Sequence, residues 1–280
     1  MKANQIVAAV VPVKTEIRLP KQATEAQFTK KLASVNLSER YAAAKALRYR
    51  GYTSTTMVLL ESMMHDSEEN IYVQLEAAAA LAAFEHEDGW RFMESKLRSS
   101  VLSVPLETQL ETIIVASEIA NIRGEAMLVD VLRDSQRDEE LRAGAAWALG
   151  QFSSTTSANA IVNTFNESPL EIKSEAARAL LRIAEPQVPY LIELLMNGDP
   201  LKRDGLSWVL ARTGRFHPIQ VLQGADDNLR RWLGYIVGHG KDHLDQSEVE
   251  TIQQTDREVY FAASVLWQIL ASWVHELTEY

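Results

Sequence analysis

The amino-acid sequence predicts an all-α protein, a right-handed α-α superhelix of about seven or eight stacked helix pairs. Three observations predict it. Alanine and leucine fill 66 of the 280 positions, and both lose little conformational freedom in a helix. Glycine (12) and proline (8) are below ordinary usage, which argues against turn-rich β architectures. A ten-residue pattern returns every 28 to 35 residues, a period that belongs to stacked repeats.

The clearest copies of the pattern are Leu141 to Gly150, LRAGAAWALG, and Ile172 to Leu181, IKSEAARALL. Others start at Glu39, Val73, Leu201, Leu229 and Val259, with a degenerate copy near Leu106. At 100° per residue, pattern positions 1, 5, 8 and 9 fall within about 100° of one another, so each copy is a helix with one apolar stripe. Small residues at positions 5, 6 and 8 let neighbouring helices approach closely. Each copy forms the second helix of a pair. The first helix comes from a preceding apolar segment, such as Met57 to Met64, Ala126 to Leu132, Ala158 to Phe165 or Val188 to Met196. Asp199-Pro200, Asp226-Asp227 and Asp256 mark helix starts. One pair cannot bury its own stripe, so stacking supplies the core. Residues 1–23 precede the repeats, and their β-branched stretch Ile6 to Val13 is expected to fold back on the first repeat or to join a partner's sheet edge. The solenoid spans 24–280. Residues 257–280, with Tyr260, Phe261, Trp267, Trp273 and Tyr280, are expected to form a long capping helix.

The copies at Leu141 to Gly150, Glu39 to Arg48 and Ile172 to Leu181 resemble the short HEAT-like repeats of the phycobilisome-lyase type. These have a basic residue at position 2 followed by Ala-Ala-x-Ala-Leu. The resemblance covers about Thr24 to Tyr280 and implies the armadillo-like solenoid directly. For function it implies either a scaffold or an accessory subunit like the phycobilin lyases, which would take a bilin and work as half of a heterodimer. In such repeats, position-2 cations pair with acids between successive units, and Arg40, Arg142, Lys173, Lys202 and Arg230 are expected to form that ladder.

Composition narrows the chemistry. There is no cysteine, which removes disulfides, thiolate metal sites and thiol catalysis and is compatible with the cytoplasm. The longest apolar runs are about eight residues, against roughly 20 for a membrane span, and no signal-peptide cleavage site follows Ile6 to Val13. The net charge of −10 weighs against duplex DNA as the main partner and leaves a nucleic-acid-binding HEAT-like protein as the third reading. That charge is segregated, because residues 1–50 carry ten Lys/Arg against three acids and residues 51–90 carry eight acids and no Lys or Arg. Glu68, Glu69, Glu85, Glu87 and Asp88 are therefore an expected acidic patch, the alternative being solvated faces neutralised by neighbours.

Pattern positions 3 and 7 lie opposite the buried stripe, on the concave face of the expected stack. Position 7 reads Lys45, Ala79, Trp147, Arg178, Ser207, Tyr235 and Val265, and position 3 reads Tyr41, Leu75, Ala143, Ser174, Arg203, Arg231 and Phe261. Trp147, Arg178, Arg203, Arg231 and Tyr235 form the expected partner-binding face, since Trp, Tyr and Arg anchor interfaces and the Arg fork suits partner carboxylates. The alternative is that Trp147 and Tyr235 wedge between helices while the arginines pair with nearby Glu.

The chain has no phosphate-binding glycine loop and no nucleophile elbow. His239 and His243 flank glycines that argue for a loop, and no third metal ligand is in register. Deoxyhypusine hydroxylases carry His-Glu pairs within their repeats. His86-Glu87 and His275-Glu276 lie outside the corresponding pattern positions, and that activity is not supported. The sequence implies no cofactor and no metal. The expectation is a non-catalytic, cytoplasmic scaffold or adaptor that grips an acidic or elongated protein segment within a hetero-oligomeric assembly.

Overall fold

The computed structural model describes residues 24–99, 102–165, 169–213, 215–240 and 243–278, with side chains to residue 271. The segment 1–23 and the side chains of Trp273, His275, Glu276 and Tyr280 lie outside the described residues. Among those described, all regular structure is helical. The chain divides into two compact units, the first ending at Ala148 and the second beginning at Leu149.

The first unit contains α1 (Glu25–Leu32), α2 (Leu37–Arg50), α3 (Ser54–His65), α4 (Ile71–Ala83), α5 (Glu87–Arg98), α6 (Leu106–Ile119), α7 (Ile122–Arg133) and α8 (Glu139–Leu149), whose last residue begins the second unit. The even-numbered helices are the second helices of the pairs and carry the pattern copies. Their apolar stripe is buried as the angular argument requires: Val73, Ala77, Ala80 and Leu81 in α4 are all fully buried. In α4 every residue from Val73 to Ala82 is buried, because α2, α3, α5 and α6 all pack against it. Alanines permit that crowding. A Cβ on Gly89 of α5 would lie 2.3 Å from the Ala78 carbonyl oxygen and 2.7 Å from the Ala82 nitrogen, so only glycine fits where α5 crosses α4. Trp90, Met93, Leu60 and Met64 fill the space between these helices, and truncating one such side chain costs about 2–5 kcal/mol.

The second unit contains α9 (Thr155–Asn163), α10 (Leu170–Asn197), α11 (Arg203–Thr213), α12 (Ile219–Leu222), α13 (Asp227–His239), α14 (Gln246–Thr255) and α15 (Arg257–Thr278). Here α10, α11, α13 and α15 are successive neighbours. Asp199 and Asp226 cap as expected, accepting from the Leu201 N–H at 3.0 Å and the Leu229 N–H at 2.7 Å. Asp256 accepts from the Val259 N–H at 3.1 Å ahead of the stripe of α15.

Two expectations need correction. Ile172 to Leu181 and Val188 to Met196 are not separate helices but one 28-residue helix that runs through Pro186 and Pro189. A proline removes the N–H that would bond four residues back, at Arg182 and Glu185. Both prolines and both of those residues are exposed, so water can satisfy the released carbonyls. Of the glycines near His239, Gly240 follows the helix end as a turn, but Gly238 does not lie in a loop. Gly238 lies inside α13 and is buried, and a Cβ there would lie 2.6 Å from Leu266 Cδ1 of α15.

Candidate functional site

In the first unit the surface opposite the buried stripe is closed by ion pairs. Lys45 and Arg48 of α2 reach past α4 to α6. The Lys45 Nζ lies 3.0 Å from Glu118 and 3.4 Å from Glu76, and Arg48 pairs with Glu118 and lies 3.5 Å from Glu76. Glu76 is fully buried and Arg48 nearly so. Burial pushes the Glu76 carboxyl above its ordinary value, with Arg48 and Lys45 opposing. Burial, reinforced by Glu76, raises Glu111 in the same way. Burial also works against the charges of Lys45 and Arg48, but the surrounding glutamates outweigh it and hold both firmly protonated. The pattern positions on α4 that were expected to face outward, Leu75 and Ala79, are fully buried beneath this network.

The acidic patch is not the free surface that a local charge count predicts. Glu69 accepts two hydrogen bonds from Arg40 at 2.6 and 2.8 Å, which lower its pKa. Arg123 of α7 holds Glu87 at 2.6 Å and Glu94 at 2.9 Å, and Glu87 is lowered in consequence. Asp88 lies 3.4 Å from Arg91, Glu85 accepts from Asn121 at 2.8 Å, and Glu68 is exposed. The count along 51–90 overlooked cations that stacking brings in from neighbouring repeats. Glu61, His86 and Asp88 offer ligand atoms within 4.8 Å of one another. The 3.1 Å pair of His86 with Glu61 and the Asp88–Arg91 pair account for that grouping.

The cation ladder is partly present. Arg40 bridges to Glu69, and Arg230 lies 3.4 Å from Asp256. Arg142 instead donates from Nε to the Leu132 carbonyl at 3.0 Å, tying α8 to the end of α7. Arg203 does the same in the second unit, donating from Nε to the Leu195 carbonyl at 3.1 Å, while its Nη atoms hold Asp226 at 2.9 and 3.0 Å and Asn228 at 2.9 Å. It is 2% exposed. The expectation that Arg203 stands on an open face is therefore corrected. Its role matches that of Arg142, which means the copy assigned to Leu201 starts one residue later, at Lys202. The shift also corrects Ser207, which is fully buried, and puts Trp208 in its place on the outer stripe.

With that register the second unit presents a regular array. Position 3 reads Ser174, Asp204, Arg231 and Phe261 along α10, α11, α13 and α15. Position 7 reads Arg178, Trp208, Tyr235 and Val265, and position 11 reads Arg182, Arg212, His239 and Ile269. All twelve are exposed or half-buried, whereas Ile172, Ala176, Ala179 and Leu180 on the opposite stripe of α10 are buried, as are Leu229, Leu233, Ile236 and Val237 of α13. The Arg212 guanidinium lies 4.1 Å from the Trp208 ring centroid, and Tyr235 lies 4.3 Å from the His239 ring and 6.0 Å from that of Trp232. Burial, aided by the charge of Arg212, keeps His239 below its ordinary pKa, so its ring is neutral at pH 7. Burial and the charge of Arg178 lower Arg182, and Arg178 also bonds Glu175.

Of the residues expected to form one binding face, Arg178, Arg231 and Tyr235 thus lie on this array. Trp147 is half-buried on α8 of the first unit and is engaged in that setting. Sequence reasoning missed Trp208, Arg182, Arg212 and His239. The signal for Trp208 was the mismatch of Leu206 and Trp208 with the small positions 6 and 8 of the pattern, which a one-residue shift relieves by moving Ser207 and Val209 there.

The described architecture is that of an all-α helical-repeat protein. Residues 125–211, from α7 into α11, match the family model of HEAT repeats. No curated protein sequence matches it. Among solved structures it is similar to the complex of CpcE and CpcF of phycocyanin lyase from Nostoc sp. PCC7120, at 19% identity over 84% of this chain and 95% of that one, with a TM-score of 0.37. It is also similar to human deoxyhypusine hydroxylase in complex with glycerol, at 16% identity over 95% of each chain, with a TM-score of 0.29. An engineered protein matches at 20% identity over 89% of this chain and 96% of that one, with a TM-score of 0.24. No described helix is long and apolar enough to cross a membrane.

Proposed function

We propose that the protein is a non-catalytic cytoplasmic adaptor that holds a protein partner on the array presented by α10, α11, α13 and α15. One observation carries the reading. In a chain of net charge −10, this face gathers Arg178, Arg182, Arg212 and Arg231 around Trp208 and Tyr235, with Asp204 the only acid among its twelve positions. Arginine and aromatic side chains lose little entropy per contact and carry most of the energy in protein interfaces. The comparable surface of the first unit is already occupied by its own ion pairs, which leaves the second unit as the docking face. Trp147 is a separate anchor belonging to the first unit.

The test is affinity purification with mass spectrometry of the wild-type protein and of Arg178→Glu/Arg212→Glu. Both side chains are exposed, so helicity should be unchanged. Proteins retained by the wild type should be lost from the variant, and an unchanged set would refute the assignment of the docking face.

A further inference from the structure

The array is graded, and the grading describes its occupant. On α10 the outward positions are Ser174, Arg178 and Arg182, polar and cationic. On α11 they are Asp204, Trp208 and Arg212, where the cation is stacked on the indole. On α13 they are Arg231, Tyr235 and the neutral ring of His239. On α15 they are Phe261, Val265 and Ile269, entirely apolar and 71%, 40% and 41% exposed. These last three are four residues apart and form one stripe. The same face of successive neighbouring helices therefore changes from charge to aromatic surface to aliphatic surface in one direction. Scattered exposed apolar residues need no explanation, but three aligned ones that continue a cationic and aromatic face do.

Resting on the adaptor reading above, we propose that the occupant of this face is an extended amphipathic peptide segment of a partner protein, with its acidic residues over α10 and α11 and its apolar residues over α15. Charge complementarity selects the acidic end, because carboxylates would meet Arg178, Arg182 and Arg212 in a protein that elsewhere repels them. The desolvation of Phe261, Val265 and Ile269 selects the apolar end. A neutral His239 between the two matches the change of polarity. Four helices at interaxial distances of about 8–10 Å span roughly 27 Å, which an extended segment covers in about eight residues. The acidic end steers the encounter, and the apolar end lengthens the residence time.

The probe is a fluorescein-labelled synthetic peptide of eight residues with glutamates in its first half and leucine and phenylalanine in its second, followed by fluorescence anisotropy with the full chain. The control is an all-glutamate peptide of the same length. The two-block probe should bind at least about tenfold more tightly than the control, a difference of the size that two or three buried apolar side chains produce. Arg178→Glu/Arg212→Glu should weaken the probe about tenfold at low salt and flatten its salt dependence. Phe261→Ser/Val265→Ser should weaken it by a similar factor at every salt concentration. Arg182→Gln and Ile269→Ser serve as second, milder variants should either double variant lose helicity. A photo-crosslinker on the acidic end should label α10 or α11, and one on the apolar end should label α15.

Equal binding of the all-glutamate peptide, or reversed crosslinks, would overturn the graded occupant while leaving the adaptor reading in place. Failure of the two-block probe to bind at about 1 mM would also overturn it. The adaptor reading fails separately, when Arg178→Glu/Arg212→Glu keeps its cellular partners.

Discussion

Replacing Arg48 with methionine removes a cation from the most deeply buried charge network of the first unit. The Arg48 side chain is 1% exposed and Glu76 is 0% exposed, so neither charge can turn to water when its partner is lost. Breaking a buried pair from one side typically costs 3–5 kcal/mol. Lys45 remains 3.4 Å from Glu76, which places Arg48→Met at the lower end, about 3 kcal/mol. At roughly 2–4 °C per kcal/mol for a unit of this size, the thermal midpoint should fall by about 6–12 °C. The double variant Arg48→Met/Glu76→Met leaves no buried carboxylate in this network and should recover most of the loss, giving a coupling energy of about 2 kcal/mol. Acid should reveal the same cause. The folded-state pKa of Glu76 is raised above its unfolded value of 4.5, so the folded state binds the proton more tightly, and this group favours folding increasingly as pH falls through the raised value. Losing Arg48 raises that pKa further, so the deficit of Arg48→Met should shrink between pH 7 and about pH 5. The assay is urea denaturation followed by far-UV circular dichroism on the wild type, both single variants and the double variant. Losses that simply add, within about 0.5 kcal/mol, would refute the idea that these two side chains act as a pair.

Two further outcomes follow from the corrected roles. Arg203→Met should lower the stability of the second unit by about 2–3 kcal/mol, since it unties the Leu195 carbonyl and leaves Asp226 without its guanidinium, yet leave the affinity of the two-block peptide unchanged once the protein is folded; denaturation and anisotropy read the two separately. Arg40→Gln should cost about 1 kcal/mol at pH 7, and because Glu69 is depressed in the folded state, the stability it contributes is present above its ordinary value and lost as pH falls, so wild type and variant should converge below about pH 4 in an acid titration of the unfolding midpoint.

How far the sequence could be read depended on how local the governing physics was. The apolar stripe, the small residues at positions 5, 6 and 8 and the aspartate caps act within a few residues of themselves, and the second helices formed where the pattern placed them. The pattern was less secure where its residues were ambiguous. Leu201-Lys202 and Lys202-Arg203 each put a cation at position 2, so the start of that copy reads in two registers, and the hydrogen bond of Arg203 to Leu195 chooses the second. One residue of slip turns a helix by 100°, which is why an arginine read as a docking residue is in fact buried and Trp208 was missed. Ile172 to Leu181 and Val188 to Met196, expected as two helices, run as one through Pro186 and Pro189, where the carbonyls of exposed Arg182 and Glu185 can bond water instead.

The sequence by itself determined that this chain folds as stacked helix pairs, because helix propensity, stripe periodicity and capping are properties of short stretches. Only the tertiary structure decided which of its surfaces are free. The acids of 51–90 and the cations of 1–50 were counted correctly along the chain. Stacking nevertheless brings Arg40 to Glu69, Arg123 to Glu87, and Lys45 and Arg48 to Glu118, over separations of 29, 36, 73 and 70 residues. A charge becomes surface or staple according to what the fold brings within about 4 Å of it, and a linear sequence does not record that distance.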